Sequence, residues 1–337
     1  MRNKIFNFIV VIFTFGIFLS FFLFTKGLSS MIEELKTLDI SWILLSIALV
    51  LLFWLFETLV LYTITKKLYP IKKLLVQSLK FEMIGLFFGA VSPFSAGSNP
   101  AQLYAMTENG IPAGIAGSIL MIKFIIHQTI NIAILILAFL FKFGYFNAKV
   151  DYFPYLCILG LAIHVLIMVF AIFFSINSKL TKRLLTTVFK VLKVVRLVKN
   201  TDAAFNKIES ELTQFHQNAS LITKHLKMCT YASIFTFLQY AAFFSIPYCI
   251  YRSFGLHSAD LWTMICAQIF LVNFMAIIPL PGAAGGAEGG FYLIYSIFFN
   301  SSTIITAIFV WRVLTYYITV AAGSIFTLVL PNVRKHH

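Results

Sequence analysis

Five ionisable residues sit inside stretches of this sequence that are otherwise apolar: Glu57, Glu82, Lys123, Glu288 and Arg312. A charge surrounded by such a stretch is expensive to bury and by default marks a site that uses it. His127, Asn131, His164, Gln239, Gln268 and Asn273 are their polar company. Lys123, His127 and Asn131 recur every four residues, so a helix would present them on one face. Each half of the chain offers a carboxylate followed by a cation, first Glu82 and Lys123, then Glu288 and Arg312. Cations of this kind suit a phosphate group, and the carboxylates would hold them when no ligand is bound. The competing reading is a pair of structural ion pairs that fix helix packing. For Glu57 and Glu82 a third reading stays open, a position near an interface with the carboxylate reaching water. His164, alone in an apolar span, reads as a packed histidine.

Both carboxylate–cation pairs lie beside a break in the apolar pattern. The first break runs from Gly89 to Gln102 and contains Pro93, Gly97 and Pro100. Pro93 cannot continue a helix, and Gly97 loosens the backbone further. Ser98 or Asn99 is then the expected N-cap of a new half-helix, with Pro100 at its first position and the helix running toward Met106. Free N–H groups at such an end attract anions. The second break runs from Ile277 to Phe291, with Pro279 and Pro281 followed by Gly282, Gly285, Gly286, Gly289 and Gly290. Irregular backbone in hydrocarbon must line a cavity or be buried in protein. Close helix packing is the other use of such glycines.

The elements that must carry these residues are membrane spans. Of 337 residues, 60% are hydrophobic and 11% charged, against roughly 45–50% and about 25% in soluble domains. The mean hydropathy is +0.91. Whole spans are expected at 5–24, 41–64, 115–141, 153–176, 228–252 and 303–330, with broken regions at 75–107 and 261–300. The first stretch has no clear small-residue cleavage site and reads as a retained anchor. A net charge of +14 would suit a nucleic-acid binder, but the basic residues lie between and beside the spans. They read instead as determinants of orientation and contacts for anionic headgroups. Arg2 and Lys4, the loop with Lys66, Lys67, Lys72 and Lys73, the basic stretch 177–227, and Arg334 with Lys335 all belong on the cytoplasmic side. Loops 25–40 and 142–152 then face outside. This count makes one broken region enter and leave from the inside and the other from the outside. The expected fold is therefore an all-α polytopic membrane protein with an inverted-topology repeat, each half having three spans and a broken re-entrant hairpin. It forms a single membrane domain over 1–337, with halves 1–145 and 146–337. Segment 178–200 reads either as an amphipathic helix on the inner leaflet or as a solvated linker. Cys157, Cys229, Cys249 and Cys266 form no C-x-x-C pair and read as small buried hydrophobes.

The Pro-x-Pro-Gly run at 279–282 leads to Gly285, Gly286 and Glu288. Together with the earlier Ser92-Pro93-Phe94 and Gly97-x-x-Pro100-Ala101-Gln102 run, it resembles the flippase-like membrane domain of the lysylphosphatidylglycerol synthase (multiple peptide resistance factor) family. The resemblance covers nearly all of the chain. It implies lipid translocation between leaflets. Full-length members add a soluble aminoacyl-transferase domain, and the single-domain form without it is expected here. The substrate expected is an anionic, aminoacylated or glycosylated lipid of a bacterial-type plasma membrane. The candidate binding set is Glu82, Ser98, Asn99, Gln102, Lys123, His127, Gly285, Gly286, Glu288 and Arg312. No catalytic residue, metal, cofactor or nucleic acid is expected. The expected partners are membrane lipids presented by their phosphate headgroups, with a second copy of the chain and a separate lipid-modifying enzyme as further candidates. An ion-coupled carrier of small polar solutes is the second hypothesis and a lipid-modifying membrane enzyme the third. The third finds no H-E-x-x-H, G-x-S-x-G or nucleotide loop in its support.

Overall fold

The computed structural model describes residues 28–183, 186–187, 211–216 and 225–328. The expected span at 5–24 and most of the basic segment 178–200 lie outside these residues. The described chain is all-helical. A short helix α1 (Leu28–Lys36) precedes α2 (Ile40–Leu68). Asp39 starts α2 by accepting from the Ser41 N–H at 2.9 Å, and the Tyr69–Pro70 step stops it, as a following proline disfavours helical backbone. Next come α3 (Leu74–Ala90) and α4 (Ser98–Glu108), separated by a tight turn at Pro93–Ser95. Then follow α5 (Ala113–Asn147), α6 (Phe153–Ile176) and α7 (Leu226–Ser253). The second interrupted pair is α8 (Leu261–Met275) and α9 (Gly286–Tyr295), with a turn at Pro281–Ala283. Last come α10 (Ile304–Arg312), a π-helical stretch Val313–Tyr317, and α11 (Ile318–Leu328).

Five helices among the described residues are long and apolar enough to cross a bilayer: Ile40–Leu68, Ala113–Asn147, Phe153–Ile176, Leu226–Ser253 and Ile304–Thr327. The 29 residues of α2 reach about 43 Å, ample for hydrocarbon about 30 Å thick. Leu140, Phe141, Ile158 and Leu166 are each more than 60% exposed. Such bare apolar faces on α5 and α6 need lipid to cover them. The chain is a multi-pass membrane protein. The five described spans start and end within about six residues of the expected boundaries, and the broken regions are interrupted where the prolines predict.

Two buried apolar clusters hold the helices together. One joins α2, α3, α4 and the 116–126 stretch of α5. The other joins the 134–146 stretch of α5 to α7, α8, α9 and α10. The ladder of Lys123, His127 and Asn131 lies where α5 passes from the first cluster to the second. The two tight turns touch each other, α11 lies along α3, and α5 lies along α8. The turns also share a backbone shape. Ser92 (φ −118°, ψ 148°) and Leu280 (φ −115°, ψ 147°) lead into Pro93 and Pro281, and Phe94 (φ 53°, ψ 19°) and Gly282 (φ 59°, ψ 18°) follow.

Candidate functional site

Two polar centres lie in the apolar frame. The first is built by five helices. Lys123 of α5 is caged by carboxylates, with its Nζ 2.7 Å from Glu57 Oε1 of α2 and 2.6 and 2.5 Å from the two oxygens of Glu82 on α3. Gln102 of α4 donates to Glu82 Oε2 at 2.7 Å. All four side chains are buried, Glu82 to 1% exposure. Each ammonium proton of Lys123 thus has a carboxylate in reach, which leaves the group no free donor for a ligand. Beside it, His127 Nδ1 lies 2.9 Å from the Lys123 carbonyl, and His127 Nε2 lies 2.9 Å from Gln239 Oε1 of α7. Gln239 Nε2 donates to Glu57 Oε2 and closes the ring. One turn further along α5, Asn131 donates to Asn273 of α8 at 3.1 Å. On another side of α5, Gln128 meets His164 Nδ1 of α6 at 3.1 Å.

The second centre lies at the other break. Arg312, 3% exposed at the end of α10, donates through Nε to Glu288 Oε1 at 2.6 Å. The other oxygen of Glu288 accepts from the Gly285 N–H at 2.7 Å and so caps α9 from inside its own first turn. The guanidinium carbon stands 5.5 Å from the Trp311 ring centre and 5.2 Å from that of Tyr316, within cation–π range. Its two terminal nitrogens have no hydrogen-bond acceptor among the described residues. Tyr316 reaches across to the first break, donating to the Ala90 carbonyl at 3.1 Å. Its ring also fills the space where Gly282 has no side chain.

The expected residues fall out as follows. Glu82, Gln102, Lys123 and His127 come together in the first centre, and Glu288, Arg312 and Gly285 in the second. Ser98 is half-buried and Asn99 exposed at the start of α4, but neither caps it. The N-cap is Gly97, in helical conformation, and its N–H is taken by Ser92 Oγ at 2.8 Å. The turn already winds helically at Ala96, so no extended residue is left to act as Ser or Asn caps do. Pro100 accordingly stands two residues later than expected in the half-helix. Gly286 faces Ile278 of the incoming arm, whose side chain any Cβ there would strike. Its smallness serves the fit of the two arms, while Gly285 and Gly289 face open space. Glu57 does not reach toward water. It is 7% exposed and bound to Lys123, because its helix turns it toward α5 and α7. Sequence reasoning gave Tyr316 no role. The signal for it was present, since it stands four residues after Arg312 and therefore on the same helix face. None of the described cysteines is in a disulfide; Cys157, Cys249 and Cys266 are buried and Cys229 half-buried.

An apolar cavity of about 560 Å³ opens between α4, α5, α6 and residues 211–216. Leu103, Leu120, Met121, Phe124 and Phe170 line it together with Asn99.

This geometry accompanies a similarity over almost the whole sequence. The family model describing the lysylphosphatidylglycerol synthase transmembrane region matches residues 8–323. The chain belongs to this lysylphosphatidylglycerol synthase membrane-region family. Among curated proteins, a UPF0104 membrane protein of Archaeoglobus fulgidus is 23% identical over 295 residues, covering 85% of this chain and 86% of the relative. Both centres and both breaks lie inside the matched segment.

Proposed function

We propose that this protein is a lipid translocase that carries an anionic, aminoacylated or glycosylated lipid between the leaflets of a bacterial-type plasma membrane. The observation that carries the reading is Arg312. It is a buried guanidinium with one edge fixed by Glu288 and the other two nitrogens unclaimed among the described residues. A planar pair of N–H donors of this kind suits two phosphate oxygens. The aromatic faces of Trp311 and Tyr316 keep the group in place without using its donors. The 560 Å³ cavity beside α4 supplies an apolar wall for an acyl chain while the headgroup crosses. Family membership supports the same reading. So does the matched backbone of the two breaks, as expected for halves related by an inverted repeat, with both termini in the cytoplasm. Membrane lipids are then the protein's principal partners.

The test is leaflet exchange in reconstituted vesicles. A trace of fluorescent phosphatidylglycerol is placed in both leaflets, and dithionite quenches the outer one. Wild-type protein should render the whole pool quenchable, and Arg312→Gln should slow that loss at least tenfold. Equal rates for the two proteins would remove the headgroup site from Arg312.

A further inference from the structure

The hydrogen bonds around His127 fix where its protons are. Nδ1 faces the Lys123 carbonyl at 2.9 Å. A carbonyl only accepts, so Nδ1 carries a proton. Nε2 faces the Gln239 amide. That amide has a carboxylate oxygen of Glu57 on its other side. An ionised carboxylate also only accepts, so the amide nitrogen must turn to Glu57 and the amide oxygen to His127. Nε2 must therefore donate as well. A ring donating from both nitrogens is an imidazolium. The alternative arrangement reverses the amide and moves the same proton onto Glu57. Glu57 Oε1 lies 2.7 Å from the Lys123 ammonium, which favours the ionised carboxylate and keeps the proton on the ring.

Charge balance agrees. Buried charges persist when they are paired. Here Glu57 and Glu82 oppose Lys123 and an imidazolium, so the centre is neutral with His127 protonated and carries one net negative charge without. The other groups facing the ring are Gln239 and the Tyr240 ring, 6.1 Å away, from α7. Gln102 from α4 and Asn273 from α8 add no charge, and His164 from α6 is engaged by Gln128 on a different side of α5.

We propose that Glu57, Gln239 and His127 form a binding site for one transported proton, which couples lipid translocation to the transmembrane proton gradient. This rests on the lipid-translocase reading for its cargo, but not for the site. The coupling follows from the same bonds. When Nε2 gives its proton to water, its lone pair meets the Gln239 oxygen. Reversing the amide only transfers the clash, because that oxygen then meets Glu57. Either the α5–α7 link or the α7–α2 link must open. Proton release thus loosens the joint between α2, α5 and α7, and proton binding closes it.

The experiment uses the full chain in lipid nanodiscs with 15N-labelled histidine. His127→Asn identifies the signals of that ring. At pH 8 the His127 ring of the wild type should show both nitrogens protonated, and Glu57→Gln should convert it to the neutral form. A His127 ring with one bare nitrogen at pH 7 would overturn the proposal. In vesicles of neutral lipid with a trace of labelled phosphatidylglycerol, a gradient of one pH unit should then accumulate the label in one leaflet by about tenfold, the thermodynamic equivalent of one proton per cycle. His127→Asn should abolish accumulation. A protonated ring with lipid exchange indifferent to the gradient would also overturn the coupling. Absence of wild-type exchange under every gradient would count against the lipid cargo, and the ring spectrum alone would then decide the proton site.

Discussion

Arg312 and Lys123 are both buried cations next to carboxylates, yet they hold their charge differently. All the donors of Lys123 are engaged by Glu57 and Glu82, whereas among the described residues only Nε of Arg312 is engaged. Lys123→Gln should therefore read mainly as lost stability. It leaves one buried carboxylate charge unpaired, at a cost of about 3–5 kcal/mol, visible as a lower thermal midpoint in detergent. Arg312→Gln should instead weaken headgroup binding, by about 1.5–3 kcal/mol for a lost charged hydrogen bond. The double variant Arg312→Gln with Glu288→Gln separates site from scaffold. Its stability should recover relative to the single variants while leaflet exchange stays low; recovered exchange would make the pair a structural one. At this scale the sequence was informative about type and blind to company. The i, i+4 rhythm placed Lys123, His127 and Asn131 on one face, and the order of charges paired Glu82 with Lys123 and Glu288 with Arg312. Nothing in the local pattern could turn Glu57 toward Lys123 or bring in Gln239, which lies 182 positions from its partner Glu57. Those contacts are decided by how α2 and α7 rotate against each other, a packing property.

The elements owe their ends to a few residues. Asp260 starts α8 by accepting from the Thr263 N–H at 2.9 Å and from its hydroxyl at 2.6 Å. The Thr263 hydroxyl bond is the main reason its carboxyl is held below the usual carboxylate range. A carboxyl lowered by folding stabilises above its unfolded value, and that contribution is lost as pH falls through the folded one. Asp260→Ala should cost about 1 kcal/mol at neutral pH and less in strong acid, as pH-dependent melting would show. The turn at Pro281–Ala283 depends on Gly282, which has φ +59° and the Tyr316 ring against it. Gly282→Ala meets both problems, with a left-handed backbone penalty of about 1–2 kcal/mol plus displacement of Tyr316, and should lower the thermal midpoint and slow exchange. Gly289→Ala, which faces open space, should melt like the wild type. Equal melting of the two variants would mean that the turn does not need its glycine. The prolines made both breaks legible, because they forbid helix whatever surrounds them. The start of α4 was misplaced because Gly97 enters from an already helical turn, which local capping preferences do not anticipate. The π-helical stretch after Arg312 also left no compositional trace.

At the scale of the whole molecule, orientation can be tested without a structure. Ser30 and Ser178 are both exposed. In a background without the native cysteines, Ser30→Cys should react with an impermeant thiol reagent on intact cells and Ser178→Cys should not. The reverse pattern would undo the proposed inverted arrangement of the halves. Composition alone declared a membrane protein, and the distribution of lysines and arginines supplied an orientation. The meeting of the two turns was beyond reach, since it is a contact between segments more than half the chain apart. That contact has a kinetic consequence. Tyr316 rests on Gly282 in one turn and is bonded to Ala90 at the edge of the other, so neither tip can swing without pulling on its counterpart. If each tip gates one side of the membrane, the two gates share a single latch. Their openings are then events of one clock, and a state in which both stand open at once, which would leak ions down their gradients, requires the latch to break first.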